Sequence, residues 1–397
     1  MTLDEAATIA LRDNRDVLLK AEDIKKAKGK IKEVKAGFLP TLNFTGSWTD
    51  TRGLYPKDIT AIKTNATLKQ YIYKGGKVIN TIKLNEYGLS VTEALLDKAK
   101  IETVLNVQKA FYTLMLSREF ANLNRKILDN VKAHLLSLES RYQNGEASQS
   151  DILNIRKSLS NIEEAYAVSL NQADSSQSIL KNSLYMDENI EIIPERGFFY
   201  VPREIAYDEA FLLTMKNRPE IKQYETQEKQ AKTAIEIAKA DNRPNVYASW
   251  DYYSNSITQL SFSPSKGWND NNIIGITFSW PIFDGWATRQ KVEQAIVDLK
   301  EAQIAKQKII KDIALELKNA YLSLKNSIAG IKAAESDLDV YKDRLLVIKE
   351  KYQDGIASLL DLDDANLSYA ISLFNKNKAI YDYLIAKSSF EKATGGF

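Results

Sequence analysis

Arg141-Tyr142-Gln143-Asn144-Gly145-Glu146-Ala147-Ser148, followed by Asp151, is matched 210 residues later by Lys351-Tyr352-Gln353-Asp354-Gly355-Ile356-Ala357-Ser358, followed by Asp361. In each copy one helical apolar pattern stops and another begins. Gly145 and Gly355 suit the left-handed residue that ends a helix. Ser148 and Ser358, each with an acid three residues on, suit the start of the next helix. Each copy therefore predicts a sharp turn between two antiparallel helices, and the chain holds two such helical hairpins.

The duplication extends outward from the turns. Ala110-Phe111 matches Ala320-Tyr321, and Tyr73-Lys74-Gly75-Gly76 matches Phe283-Asp284-Gly285-Trp286, both at an offset of 210. Further upstream Ala36-Gly37-Phe38-Leu39-Pro40 matches Ala240-Asp241-Asn242-Arg243-Pro244, and Leu3-Asp4-Glu5-Ala6 matches Tyr207-Asp208-Glu209-Ala210, at an offset of 204. The difference falls between the two groups, as an insertion in a loop would. Leu128, Val131, Leu135, Leu138 and Tyr142 follow 3–4 spacing, as do Leu338, Tyr341, Leu345, Ile348 and Tyr352, which predicts coiled-coil-like packing of long helices. A helix from Gly75 to Gln143 would be on the order of 100 Å long. Shorter return helices are expected from Ser148 to about Leu184 and from Ser358 to about Ala393. Thr2-Leu3-Asp4-Glu5 reads as a capping box, and helix breaks are expected at Asn14-Arg15 and Arg218-Pro219.

Between the helical parts the period changes from 3.6 to 2. Leu42, Phe44 and Trp48 alternate with Thr41, Asn43 and Thr45; Val246, Ala248, Trp250 and Tyr252 alternate with Asn245, Ser249 and Asp251. Ile274, Ile276, Phe278, Trp280 and Ile282 alternate with Gly275, Thr277 and Ser279, and more weakly Leu68 and Ile72 with Thr67 and Lys69. Turn residues crowd Pro264 to Asn272. The expected fold is mainly α with a small β part. It is divided into 1–37 (helices of the first repeat), 38–74 (first β-hairpin) and 75–185 (first long helical hairpin, turn near 141–151). A linker at 186–206 follows, then 207–243 (helices of the second repeat), 244–284 (second β-hairpin) and 285–397 (second long helical hairpin, turn near 351–364).

All five Trp (48, 250, 268, 280 and 286) lie in the hairpin regions, as rings that sit at a membrane interface would. No apolar run reaches the ~20 residues of a spanning helix, so a membrane would have to be crossed by strands. Four strands leave two open edges that lipid cannot satisfy, so a membrane sheet must close through several chains. Three copies give twelve strands, wider than the ~8 that side chains can fill, with a wet interior suited to Thr41, Asn43, Thr45, Asn245, Ser249, Thr277 and Ser279.

With 54 Lys+Arg against 52 Asp+Glu, the net charge of +2 argues against a nucleic-acid partner bound through phosphates. There is no Cys, and the single His134 reads as a solvated or core side chain rather than a metal ligand, so no metal and no cofactor are expected. Gly75-Gly76-Lys77 lacks the upstream Gly of a phosphate loop, and no nucleophile–base set surrounds His134; the chain does not read as an enzyme. The start Met-Thr-Leu-Asp-Glu has no basic or apolar leader, which fits a cytosolic protein or one whose signal peptide has been removed. An elongated soluble coiled-coil scaffold or adhesion protein would account for the helices but not for the Trp-bearing hairpins.

Taken in order, the duplication, Leu3-Asp4-Glu5-Ala6, Phe38-Leu39-Pro40, Pro281-Ile282-Phe283-Asp284-Gly285, Tyr352-x-x-Gly355 and Asp361-x-x-Asp364-Ala365 resemble the TolC-type outer-membrane efflux protein family over essentially the whole chain. The resemblance implies a homotrimeric channel-tunnel: a twelve-stranded β-barrel in outer-membrane lipid, continuous with an α-helical barrel through the periplasm. It implies an exit duct of a tripartite efflux or type I secretion system. A periplasmic adaptor (membrane fusion) protein and an inner-membrane transporter would open it. On that footing Trp48, Trp250, Trp280 and Trp286 are membrane-interface aromatics. Asp361 and Asp364 are acidic rings at the periplasmic constriction, with Leu360 as an apolar ring. Tyr352, Tyr142 and Asp151 form a gate network, and Asn144, Gly145, Ser148, Asp354, Gly355 and Ser358 face the adaptor. Ala357 stands where some members carry a locking Arg. Asp361 and Asp151 read equally as capping partners of Ser358 and Ser148, and Tyr142 and Tyr352 equally as helix-packing residues. Asp361 and Asp364, three apart, share one helix face.

Overall fold

The computed structural model describes residues 1–52, 59–187, 189–195, 197–202, 205–257 and 267–396. Its elements run α1 (Leu3–Asp13), α2 (Arg15–Lys35), β1 (Thr41–Thr51), β2 (Ile59–Lys74), α3 (Lys77–Gln143), α4 (Gln149–Leu184), α5 (Tyr207–Asn217), α6 (Pro219–Ala240), β3 (Asn245–Ile257), β4 (Trp268–Ser279), α7 (Ala287–Gln353) and α8 (Leu359–Thr394). The two halves repeat one plan. α3 and α7 each have 67 residues, and α4 and α8 each have 36. Among the described residues no helix is long and apolar enough to cross a membrane. Of the turn stretch expected from Pro264 to Asn272, residues 264–266 lie outside the described ones and Trp268 to Asn272 are instead the start of β4; residues 188, 196, 203 and 204 of the linker expected at 186–206 also lie outside the described ones.

The chain forms two compact units. The first comprises Met1–Ala21, Leu95–Ile221 and Ile309–Phe397. It contains one apolar core per repeat. Ala6 and Ala10 of α1 meet Val107, Phe111 and Leu114 of α3 and Leu180 and Leu184 of α4. Correspondingly, Ala210 of α5 meets Leu317, Leu324 and Ile331 of α7 and Ile380, Tyr383 and Phe390 of α8. These are the 3–4 stripes of long amphipathic helices closing on one another. The break between α5 and α6 buries a charge: Arg218, 4% exposed, meets Glu220 at 3.0 Å and Glu316 at 2.9 Å. It also donates to the Lys392 carbonyl at 2.9 Å, which ties the end of α8 to this break.

The second unit comprises Glu22–Ala94 and Lys222–Lys308. It holds a four-stranded antiparallel sheet in the order β1-β2-β3-β4, so that β2 and β3 join the two repeats. Register sorts the side chains. Leu42, Leu68, Trp250 and Ile274 stand in one cross-strand row; the next row, Asn43, Thr67, Asp251 and Ile273, points to the opposite face. The Thr67 hydroxyl donates to Asp251 Oδ1 at 2.6 Å within that polar row. One face is therefore apolar, and Leu42, Phe44, Ile274 and Ile276 on it are at least two-thirds exposed in the single chain. Below the sheet Asp241 accepts from Lys77 at 2.6 Å and Lys291 at 2.8 Å, so one carboxylate clamps the starts of both long helices. A Cβ at Gly75, where φ is +59°, would come within 2.7 Å of the Ala240 carbonyl oxygen, so this join requires glycine.

Two sequence expectations are corrected. The alternation through Trp280 and Ile282 outruns the strand: β4 stops at Ser279, because Pro281 has no N–H to donate to the ladder. The weakly patterned partner strand, β2, is the longest at 16 residues. An irregularity between Tyr71 and Tyr73 takes Ile72 out of phase with Leu68.

Candidate functional site

The two helix-to-helix turns belong to the first unit and have the same construction. Gly145 and Gly355 have φ of +77° and +73°. Glu146 N–H donates to Arg141 O at 2.8 Å and Gly145 N–H to Tyr142 O at 3.0 Å. Ile356 repeats this with Lys351 O at 2.8 Å, and Gly355 with Tyr352 O at 3.1 Å. This paired pattern satisfies the carbonyls that a helix end would otherwise orphan. The next helix opens with a capping box. Ser148 Oγ accepts from Asp151 N at 3.2 Å while the Asp151 carboxylate accepts from Ser148 N at 3.0 Å. At Ser358 and Asp361 the two distances are 3.2 and 2.8 Å. Each serine hydroxyl also donates to its acid at 2.7 Å.

These bonds set the acids' electrostatics. The Ser358 hydroxyl, then its backbone N–H, holds Asp361 below the usual carboxylate range, and Ser148 does the same for Asp151. Both acids are exposed and ionised at neutral pH, with one oxygen engaged in the cap. Asp364 sits one turn further along the same face of α8. It is 58% exposed and has a different neighbour: His134 Nε2 of α3 lies 3.2 Å from its Oδ1. Leu360 is half-buried beside them, and Ala357 places no cation at the turn. The Tyr142 and Tyr352 rings are exposed at 47% and 40%, and neither phenol bonds to Asp151 among the described residues. Asn144, Gly145, Ser148, Asp354, Gly355 and Ser358 are all exposed.

The structure thus brings Asp361 and Asp364 onto one face of one helix and adds His134 to them from another. Spacing carries no signal for that contact: His134 and Asp364 are on different repeats, and only the antiparallel alignment of α3 with α8 joins them. The same alignment appears in Thr113 with Tyr381 (3.2 Å) and Phe120 with Phe374 (ring centroids 5.5 Å).

Elsewhere in this unit a groove of about 720 Å³ presents Lys109, Asn319, Ser323, Asp382 and Lys392. Glu316 within it is bonded to Lys392 and Arg218, which leaves that carboxylate occupied. Among the described residues no three His, Asp or Glu gather as a metal cluster. In the second unit Trp48, Trp280 and Trp286 are exposed at 55–61% and Trp250 at 39%. Trp250 donates to Asn272 Oδ1 and Trp280 to Asn242 O, both at 3.2 Å, so each ring offers an apolar body with its N–H anchored.

A model of the outer membrane efflux protein family matches residues 7–184 and 213–396. The outer membrane protein TolC of Escherichia coli is 20% identical over 96% of this chain and 80% of its own length. Nodulation protein T of Rhizobium leguminosarum is 23% identical over 43% of this chain, a match spanning 36% of that protein. In three dimensions the crystal structure of the Campylobacter jejuni CmeC outer membrane channel superposes with a TM-score of 0.80. It is 20% identical and covers 99% of this chain and 85% of that one.

Proposed function

The chain belongs to the outer membrane efflux protein family, and from that premise we propose that it works as a homotrimeric exit duct through the outer membrane, constricted at its periplasmic turns where its own acids form rings. The duct is passive and catalyses no reaction. One observation carries this reading: the sheet has a continuous apolar row beside a polar one and leaves β1 and β4 unpaired on their outer sides. Lipid satisfies neither edge, so β4 of one copy completes its ladder on β1 of the next. Three copies give a barrel wide enough to hold water. Thr41, Asn43, Thr45, Thr67 and Ser249 line it, Trp48 faces lipid towards one membrane interface, and Trp250 faces lipid in the mid-strand row it shares with Ile274.

The long helical hairpins lie in the periplasm, and their turns form the mouth of the duct. Asp361 and Asp364 from three copies stack as two rings of negative charge that favour cations, with Leu360 beside them. Asn144, Gly145, Ser148, Asp354, Gly355 and Ser358 form the surface on which a periplasmic adaptor docks, and an inner-membrane transporter supplies the cargo. A soluble scaffold would have no use for a sheet face this apolar and this exposed. Conductance of the purified trimer in planar bilayers tests the reading, with Asp361→Ala/Asp364→Ala as the variant. Cation preference and block by multivalent cations should both weaken. A pore whose selectivity is unchanged assigns both acids to capping and surface roles, and a protein that forms no pore removes the duct itself.

A further inference from the structure

His134 is the only histidine of the chain, and its imidazole is three-quarters buried with Nε2 3.2 Å from Asp364 Oδ1. That nitrogen has no solvent access and no hydrogen bond of acceptable angle, so the contact is a close approach of ring and carboxylate rather than an aligned N–H···O bond. The distinction matters chemically. A neutral imidazole gains from a carboxylate chiefly through an aligned hydrogen bond, whereas an imidazolium gains from the charge at any angle. This contact is therefore weak when His134 is neutral and attractive when it is protonated.

Among the described residues no other ion pair reaches the ring. On α3 the positions one turn away are Asn130, Val131, Ser137 and Leu138, with Asp129 and Lys132 off that face. On α4 the alignment fixed by Ser117 with Ser176 and Arg156 with Glu139 puts Leu159, Ser160 and Asn161 level with His134. On α8 the flanking acids are Asp363 and Asp361, the latter engaged by Ser358. On α7, Lys376 with Glu335 aligns Leu346, Val347 and Ile348 with Asp364, between Arg344 and Lys349.

We propose that His134 is a positioning residue for the tip acid: protonated, it holds Asp364 on its own chain and withdraws that charge from passing cations; neutral, it releases it. Histidine is the side chain that changes charge between pH 5 and 8, so cation recognition at the mouth falls as the periplasm acidifies. The proposal rests on the reading of Asp364 as a mouth residue, and the experiment separates the two.

The assay is block of the reconstituted trimer by lanthanum in planar bilayers, from pH 8.5 down to 5.5, above the ordinary carboxylate range. The wild type should lose block over this window by roughly two- to fivefold, the range of an exposed ion pair. His134→Gln should hold the high-pH value throughout, and His134→Lys, a permanent cation, the low-pH value throughout. Asp364→Asn should weaken block at pH 8.5 and flatten the profile. If Asp364→Asn weakens block but His134→Gln and His134→Lys both keep the wild-type pH step, His134 has no such role and the mouth reading survives. If Asp364→Asn leaves block at pH 8.5 untouched, the mouth reading itself fails.

Discussion

Ile273 and Ile274 are adjacent and chemically identical, yet register assigns them to opposite faces of the sheet. Ile274 shares its row with Trp250, Leu68 and Leu42, and Ile273 with Asp251, Thr67 and Asn43. Replacing each in turn by Lys is therefore a test in which hydropathy is constant and only direction varies. Ile274 lies six positions from Trp268 and five from Ser279, the ends of β4. At ~3.3 Å per residue it is about 20 and 17 Å from the strand ends, close to mid-strand. A Lys facing lipid at that depth costs about 2–4 kcal/mol. In a barrel of three chains the burden is on the order of 6–12 kcal/mol per trimer. A Lys at 273 enters a polar row beside the Asp251 carboxylate, where a solvated substitution costs within about 0.5 kcal/mol. Denaturant resistance of the bilayer-reconstituted trimer, with the amount of each variant recovered in the outer membrane, reads the difference. Equal losses for Ile274→Lys and Ile273→Lys, or a larger loss at 273, would refute the assignment of faces and the barrel built on it.

Arg218→Met should be the costliest single change in the helical unit. It leaves Glu220, 7% exposed, with Lys98 at 4.0 Å in place of the 3.0 Å guanidinium and releases the Lys392 carbonyl, a loss of about 3 kcal/mol, the low end for breaking a buried pair, to be read as a fall in thermal midpoint. Ser358→Ala should speed hydrogen exchange at the Asp361 and Leu362 amides by roughly fivefold, the effect of losing one cap, without touching α4. Because Ser358 depresses the Asp361 carboxyl, that cap contributes fully above the unfolded value of ~3.9 and is lost as pH falls through the folded one. The protection factor at these amides, their exchange relative to the intrinsic rate at each pH, should therefore be flat from pH 7 to 5 and fall only in acid below that.

How far the chain could be read from sequence depends on whether the determining contact is local. The capping boxes at Ser148 and Ser358 and the glycines at 145 and 355 act within six residues, and they appear in the structure where their spacing puts them. The strands were visible where apolar and polar residues alternate strictly, as in β3. β2 was faint because Lys63 and Lys69 stand among Thr and Asn, so that only Ile62 and Leu68 mark its apolar face; its length follows from pairing on both sides. Ile273 could not be told from Ile274 by hydropathy, since register decides between them. Arg218 and His134 were opaque for a different reason. Their partners Glu316, Lys392 and Asp364 are distant in sequence, and only helix-on-helix alignment brings them near.

The unpaired outer sides of β1 and β4 also constrain how the protein is made. A freshly translocated subunit carries two bare ladders and a greasy face with nothing to cover them, which is the hazard that leads strands to add to one another without end. Monomer insertion followed by association in the bilayer would strand those amides in hydrocarbon. For the proposed trimer, insertion and oligomerisation are therefore coupled into a single event.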